Sequence, residues 1–99
     1  MTTIHTLDIN ALNWFDKVNG NSYFSAQITI NYGTPTANTI KLPFQYGYGD
    51  QYRYEAVSTL ITLGYLNTGV TLYDLKGMGI ICRFSKHNAK KAEVKAFGI

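Results

Sequence analysis

Ninety-nine residues, 45% hydrophobic and 15% charged, describe one folded domain rather than a disordered chain, with too little material for a second core. The net charge of +3 is unevenly placed: residues 1–75 carry three basic against five acidic side chains, and residues 76–99 carry six against one. No apolar run approaches the roughly 20 residues that a membrane-spanning helix needs, which argues against a membrane partner.

In chain order, Met1-Thr2-Thr3-Ile4-His5 lacks the basic-then-apolar order of a signal peptide. Thr3 to Ile9 reads as a weak strand with Leu7 and Ile9 on one face. Asn10 to Val18 leaves strand and short helix open. Asn19-Gly20, a dipeptide suited to a two-residue turn with positive φ at both positions, favours a strand around residues 12–18 that feeds a hairpin. Residues 22–32 alternate most clearly. Phe24, Ala26, Ile28, Ile30 and Tyr32 share one face, and Tyr23, Ser25, Gln27, Thr29 and Asn31 share the other. One apolar and one polar face is the pattern of an antiparallel sheet. After a polar loop at Gly33 to Asn38, the strand from Thr39 to Tyr46 returns alongside, alternating Ile40, Leu42, Phe44 and Tyr46 with Lys41, Pro43 and Gln45. These pieces predict a three-strand meander.

The stretch Phe44 to Tyr54 then holds four of the eight tyrosines and changes period. Gly47 and Gly49 are expected to turn the chain, and Asp50 to cap a helix running to Leu63. Tyr52, Ala56, Leu60 and Leu63 form its stripe, widened by Val57 and Ile61. Gly64 is placed to end it. Thr68 to Lys76 predicts a short second helix, broken by Gly77 and Gly79, and Ile80 to Phe84 is a strand by composition. The tail reads two ways. Ala89 to Phe97 is a helix that Asn88 caps, or residues 92–97 form a strand returning through Ser85 to Ala89 to pair with residues 80–84. The hairpin is favoured. The expected fold is a single α+β domain over 1–99: an antiparallel sheet, with a three-strand meander plus a C-terminal strand or hairpin, packed against one main helix and a short second helix. Phe24, Ile28, Ile30, Leu42, Phe44, Ala56, Leu60 and Leu63 are its expected core.

Catalytic chemistry finds little support in the spacing. Four residues lie between Cys82 and His87, and His5 is the remaining histidine, which matches no paired-cysteine metal signature. Cys82, the single cysteine, sits in an apolar run, where a thiol is an inert hydrophobe; alone it forms no internal disulfide, which suits a reducing cytoplasm. Gly47-Tyr48-Gly49 opens a helix, yet Asp50 places negative charge where a phosphate would bind. The acidic residues are scattered and offer no acid–base pair. No catalytic residue, metal site or cofactor is therefore assigned, and the expectation is a binding protein rather than an enzyme.

Two surfaces are candidates for that binding. Tyr46, Tyr48, Tyr52, Arg53 and Tyr54 provide aromatic and guanidinium anchors of the kind that concentrate energy in protein interfaces. Arg83, Lys86, Lys90, Lys91 and Lys95 form a basic set for an acidic partner or a phosphate backbone, with Phe84, Tyr46 or Tyr48 able to stack bases. The bland reading is a solvated face whose lysines keep a sheet edge from pairing with another chain. A homodimer through an exposed strand edge is a further possibility.

Trp14-Phe15-Asp16-Lys17-Val18-Asn19-Gly20-Asn21-Ser22-Tyr23-Phe24-Ser25, followed by Leu42-Pro43-Phe44-Gln45-Tyr46-Gly47-Tyr48-Gly49-Asp50-Gln51-Tyr52, resembles small uncharacterised proteins encoded in bacteriophage and prophage genomes. The resemblance runs from about Trp14 to Phe97. It implies a setting rather than a mechanism: the host cytoplasm, and a host or antiviral-defence protein as partner. Phage proteins of this size are often inhibitors of host defence, anti-CRISPR proteins among them.

Overall fold

Four strands form one sheet in the computed structural model, which describes residues 3–99. They are β1 (Thr6–Asp16), β2 (Asn21–Ile30), β3 (Asn38–Tyr46) and β4 (Ile81–Asn88), in the order β3-β2-β1-β4. Helix α1 (Gln51–Thr62) and two 3-10 turns (Leu72–Asp74 and Lys76–Met78) lie between β3 and β4, and helix α2 (Lys91–Phe97) ends the chain. The architecture is α+β, with the expected meander and main helix.

Alternation decides which face of the sheet is dry. Leu7, Ile9 and Ala11 of β1 stand opposite Ile30, Ile28 and Ala26 of β2, and all six are buried. Leu42 extends that face onto β3, and Cys82 and Phe84 extend it onto β4. Tyr52, Ala56, Val57 and Leu60 of α1 close over it. The opposite face carries Ser25 and Gln27, which hold α2: the buried Ser25 hydroxyl donates to the Val94 carbonyl (2.5 Å), and the Gln27 amide donates to the Phe97 carbonyl (3.1 Å).

The structure corrects several local expectations. Residues 6–16 form one continuous strand, which removes the ambiguity over Asn10 to Val18. Its hairpin is not a two-residue Asn19-Gly20 turn. Asp16 pairs with Asn21 across a four-residue loop, and the Asp16 carboxylate accepts from the backbone N–H of Val18 (3.0 Å) and Asn19 (3.3 Å). Those bonds, led by the one from the Asn19 side chain, hold the Asp16 carboxyl below its ordinary value. Only Gly20 of the pair takes a positive φ (72°).

Asn31 and Tyr32 exchange the roles expected of them. Asn31 adopts φ 52°, a left-handed conformation that asparagine tolerates, and this reverses the alternation at the end of β2. Asn31 is 0% exposed and Tyr32 is 71% exposed. The buried amide is fully used: Oδ1 accepts from the His5 backbone N–H (2.7 Å), and Nδ2 donates to the Thr3 carbonyl (2.8 Å) and the Thr36 hydroxyl (3.1 Å).

A second reversal occurs in β3. Phe24 pairs with Gln45 but Ala26 pairs with Leu42, so β3 holds one extra residue opposite Ser25. This bulge turns Phe44 off the core face expected of it. Phe44 stacks instead on Tyr23 (centroids 5.2 Å apart, planes at 7°), on the face that α2 covers. Leu63, also expected in the core, is 54% exposed because α1 ends at Thr62 and Gly64 turns the chain away with φ 86°.

The C-terminal hairpin does not form. β4 lies parallel to β1, from Thr6 opposite Ile81 to Asn13 opposite Asn88, and residues 91–97 are helical. The cap residue is Lys90 rather than Asn88, with the Glu93 carboxylate accepting the Lys90 N–H (3.4 Å). The pairing matches both faces at once. Cys82 and Phe84 meet Leu7 and Ile9, while Arg83 and Ser85 meet Asp8 and Asn10. The Arg83 guanidinium grips the Asp8 carboxylate through two nitrogens (2.5 and 2.9 Å), and the Ser85 hydroxyl donates to Asn10 Oδ1 (2.6 Å). The expected short second helix is the pair of 3-10 turns.

Candidate functional site: a groove beside the β4 edge

The corner after β3 builds one wall of the site. Gly47 is there for close approach: a Cβ on it would lie 2.6 Å from the Phe24 ring. Gly49 supplies the turn, with φ 62°. Asp50 occupies the cap position of α1 with no side-chain bond to the helix, and its carboxylate lies 3.7 Å from the Arg53 Nε instead. The expected capping bond is absent because φ −92° and ψ 10° at Asp50 depart from the extended backbone usual at a cap.

Arg53 leaves the first turn of α1 towards β4. Its guanidinium lies over the Phe84 ring at 4.2 Å, and its Nε donates to the Tyr52 hydroxyl (3.0 Å). The Tyr52 hydroxyl holds the guanidinium still more firmly in its charged form. One turn surface away, the Tyr54 and Tyr73 hydroxyls share a hydrogen bond of 2.8 Å, which ties α1 to the first 3-10 turn. That bond raises the Tyr54 phenol above its ordinary value.

Between these elements and β4 lies a groove of about 680 Å³. Leu72, Leu75, Ile80, Cys82 and Phe84 supply apolar lining, and Arg53, Tyr73 and Lys76 the polar groups. Burial pushes the Cys82 thiol up from its ordinary value, as expected of an inert hydrophobe. Among the described residues, no three His, Cys, Asp or Glu side chains group together as metal ligands.

The tyrosine set expected from the sequence is divided. Arg53 lines the groove, and Tyr54 adjoins it through its bond to Tyr73. Tyr52 is 3% exposed, so it is not part of an exposed contact surface and acts from beneath, through its hydroxyl. Tyr48 is exposed in the corner. Tyr46 is exposed on the opposite face, edge-on to Tyr23 (5.8 Å). Tyr73 was not singled out in the sequence, and Leu72 was read only as part of the short second helix; a Leu-Tyr-Asp-Leu run is an ordinary amphipathic turn until the fold sets it beside Phe84.

The basic set is divided as well. Arg83 is engaged by Asp8, and the Lys86 ammonium crosses to the α1 side and donates to the Gly49 carbonyl (2.9 Å). Lys91 and Lys95 sit over the Trp14 and Phe44 rings (5.1 and 5.4 Å) on the α2 face. Lys90 and Lys91 share a second hollow of about 610 Å³ with Lys17, Trp14 and the half-exposed Phe15. Among the described residues, no helix is long and apolar enough to cross a membrane. No protein-family model, curated protein or solved structure matches the chain.

Proposed function

We propose that this chain is a non-enzymatic binding protein that takes a protein partner at the groove between α1 and β4. The observation that carries this reading is the pre-set rim. Arg53 is already stacked on Phe84 and Tyr54 already bonded to Tyr73, beside open apolar surface. Anchors held in place before binding lose little side-chain freedom when a partner arrives, and aromatic and Arg residues dominate such interfaces. The phage resemblance supplies the setting: a host or antiviral-defence protein in the host cytoplasm, inhibited by occupation of its surface in the manner of anti-CRISPR proteins.

The test is affinity capture from expressing cells, with and without nuclease, using Tyr54→Ala and Lys90→Ala. Both side chains are exposed, so both variants are expected to fold. Tyr54→Ala is expected to weaken a nuclease-resistant partner by about tenfold or more, and Lys90→Ala far less. The hollow of Lys17, Lys90, Lys91, Trp14 and Phe15 supports a second reading, nucleic-acid binding, since it sets cations beside aromatic faces. The reverse ranking, with salt-steep binding of an oligonucleotide, favours that reading and removes the first.

A further inference from the structure

The β4 strand is an edge of the sheet, and its outward backbone groups can be identified. The Ile81 N–H donates to the His5 carbonyl (3.1 Å) and the Ala89 N–H to the Asn13 carbonyl (2.8 Å). A parallel ladder repeats every two residues, so odd-numbered residues of β4 bond to β1. The N–H and C=O groups of Cys82, Phe84 and Lys86 therefore point to the open side. Their side chains lie on the same face as the groove, and those of Cys82 and Phe84 line it. An added strand beside β4 would set alternate side chains directly into that apolar lining.

We infer that the β4 edge takes up an extended, acid-flanked segment of the partner as a fifth strand, its alternate apolar side chains filling the groove. This rests on the reading of the groove as a protein-binding site and names what it binds. Charge selects the occupant. The groove lining and β4 carry Arg53, Lys76, Arg83 and Lys86 and no carboxylate. Arg83 is engaged by Asp8, but Lys86 meets a neutral carbonyl and the Tyr52 ring (6.0 Å) and no carboxylate, and the ion pairs among the described residues are Arg83–Asp8 and Arg53–Asp50. Lys76 at the groove and Lys86 two residues past Phe84 thus leave a cation near each end of the open stretch. A second copy of this chain suits the edge poorly, because an antiparallel β4 partner would bring a second Arg83 and Lys86 to the edge and no carboxylate to meet them. Main-chain bonding with alternate side chains in pockets is the general mode of strand addition.

The probe is a capped nine-residue peptide, Glu-Glu-Val-Thr-Val-Thr-Val-Glu-Glu, compared with its Lys-ended counterpart and with a version N-methylated at alternate amides. Amide hydrogen exchange and shift changes are read residue by residue on the full chain. Bound acidic peptide is expected to slow exchange at Cys82, Phe84 and Lys86. Arg83 and Ser85, which already donate to β1, should change little. The Lys-ended peptide is expected to bind about tenfold more weakly, a gap that narrows with added salt, and the N-methylated peptide to bind no better than that. Lys76→Glu, at an exposed position, should reduce the preference for acidic ends. Absent binding, binding without protection at Cys82, Phe84 and Lys86, or equal binding of acidic and basic peptides overturns the inference. So does protection that appears without peptide and grows with protein concentration, which would assign the edge to a second copy. If Tyr54-dependent capture persists while the edge amides stay unprotected, the strand inference falls and the binding-protein reading stands; loss of that Tyr54 dependence removes the reading itself.

Discussion

At the β3 edge, Pro43 removes a backbone donor, the extra residue opposite Ser25 interrupts the ladder, and the end of α2 packs against the bulge. At the β4 edge, eight residues run in unbroken register with β1, with neither proline nor bulge. The Lys86 bond to Gly49 guards only the far end. Sheet edges are hazards that folded chains commonly blunt. This chain blunts one edge with its own sequence and leaves the other beside an apolar groove, which is the arrangement expected where a partner completes the sheet.

The largest test of that contrast removes what both edges share. Leu60 of α1 is fully buried against the sheet, and Leu60→Ala is expected to cost about 2–5 kcal/mol in denaturant melts, with β3 and β4 exchanging faster together. A loss below about 1 kcal/mol would mean that α1 does not hold the sheet. Gly98→Ala acts on one edge alone. A Cβ there would lie 2.6 Å from the Leu42 carbonyl oxygen and 3.0 Å from the Pro43 Cα. Overpacking of that kind costs about 1–3 kcal/mol. Exchange should quicken in α2 and around Ser25 while β4 is spared; equal loosening of β4 would show that the two edges are not closed independently.

The smallest effect lies at the groove rim. Because Tyr73 raises the Tyr54 phenol in the folded state, the pair supports the fold below the ordinary tyrosine value of about 10. That support is lost as pH rises through the higher folded value. An ultraviolet titration should show one late-ionising tyrosine that disappears in Tyr54→Phe. An unchanged late step in that variant would place the hydrogen bond elsewhere.

Much of this was legible in the chain itself, because period and turn chemistry are local. The strand pair from residue 21 to 46, the helix after Gly49, its end at Gly64 and the inert setting of Cys82 all follow from neighbouring residues. Three single residues defeated the local reading: Asn31 by adopting a left-handed backbone, Pro43 by accompanying a bulge, and Asp16 by bonding its own loop. The first two are short-range changes whose consequence is a reversal of faces, so Tyr32 and Phe44 were expected on the wrong side; the third only lengthens the turn.

What the sequence by itself determined is an α+β chain with one amphipathic helix, aromatic anchors near its start and cations gathered at its end. Only the tertiary structure decided that β4 enters parallel to β1, because a hairpin and a crossover both satisfy the strand pattern of residues 81–84. The crossover wins by matching two faces together, Cys82 and Phe84 to Leu7 and Ile9, Arg83 and Ser85 to Asp8 and Asn10. The same docking divides the basic tail between the two faces and brings Arg53, Tyr73 and Phe84, distant in sequence, around one groove. Such a site arises from contacts across the sheet edge, which no local pattern encodes.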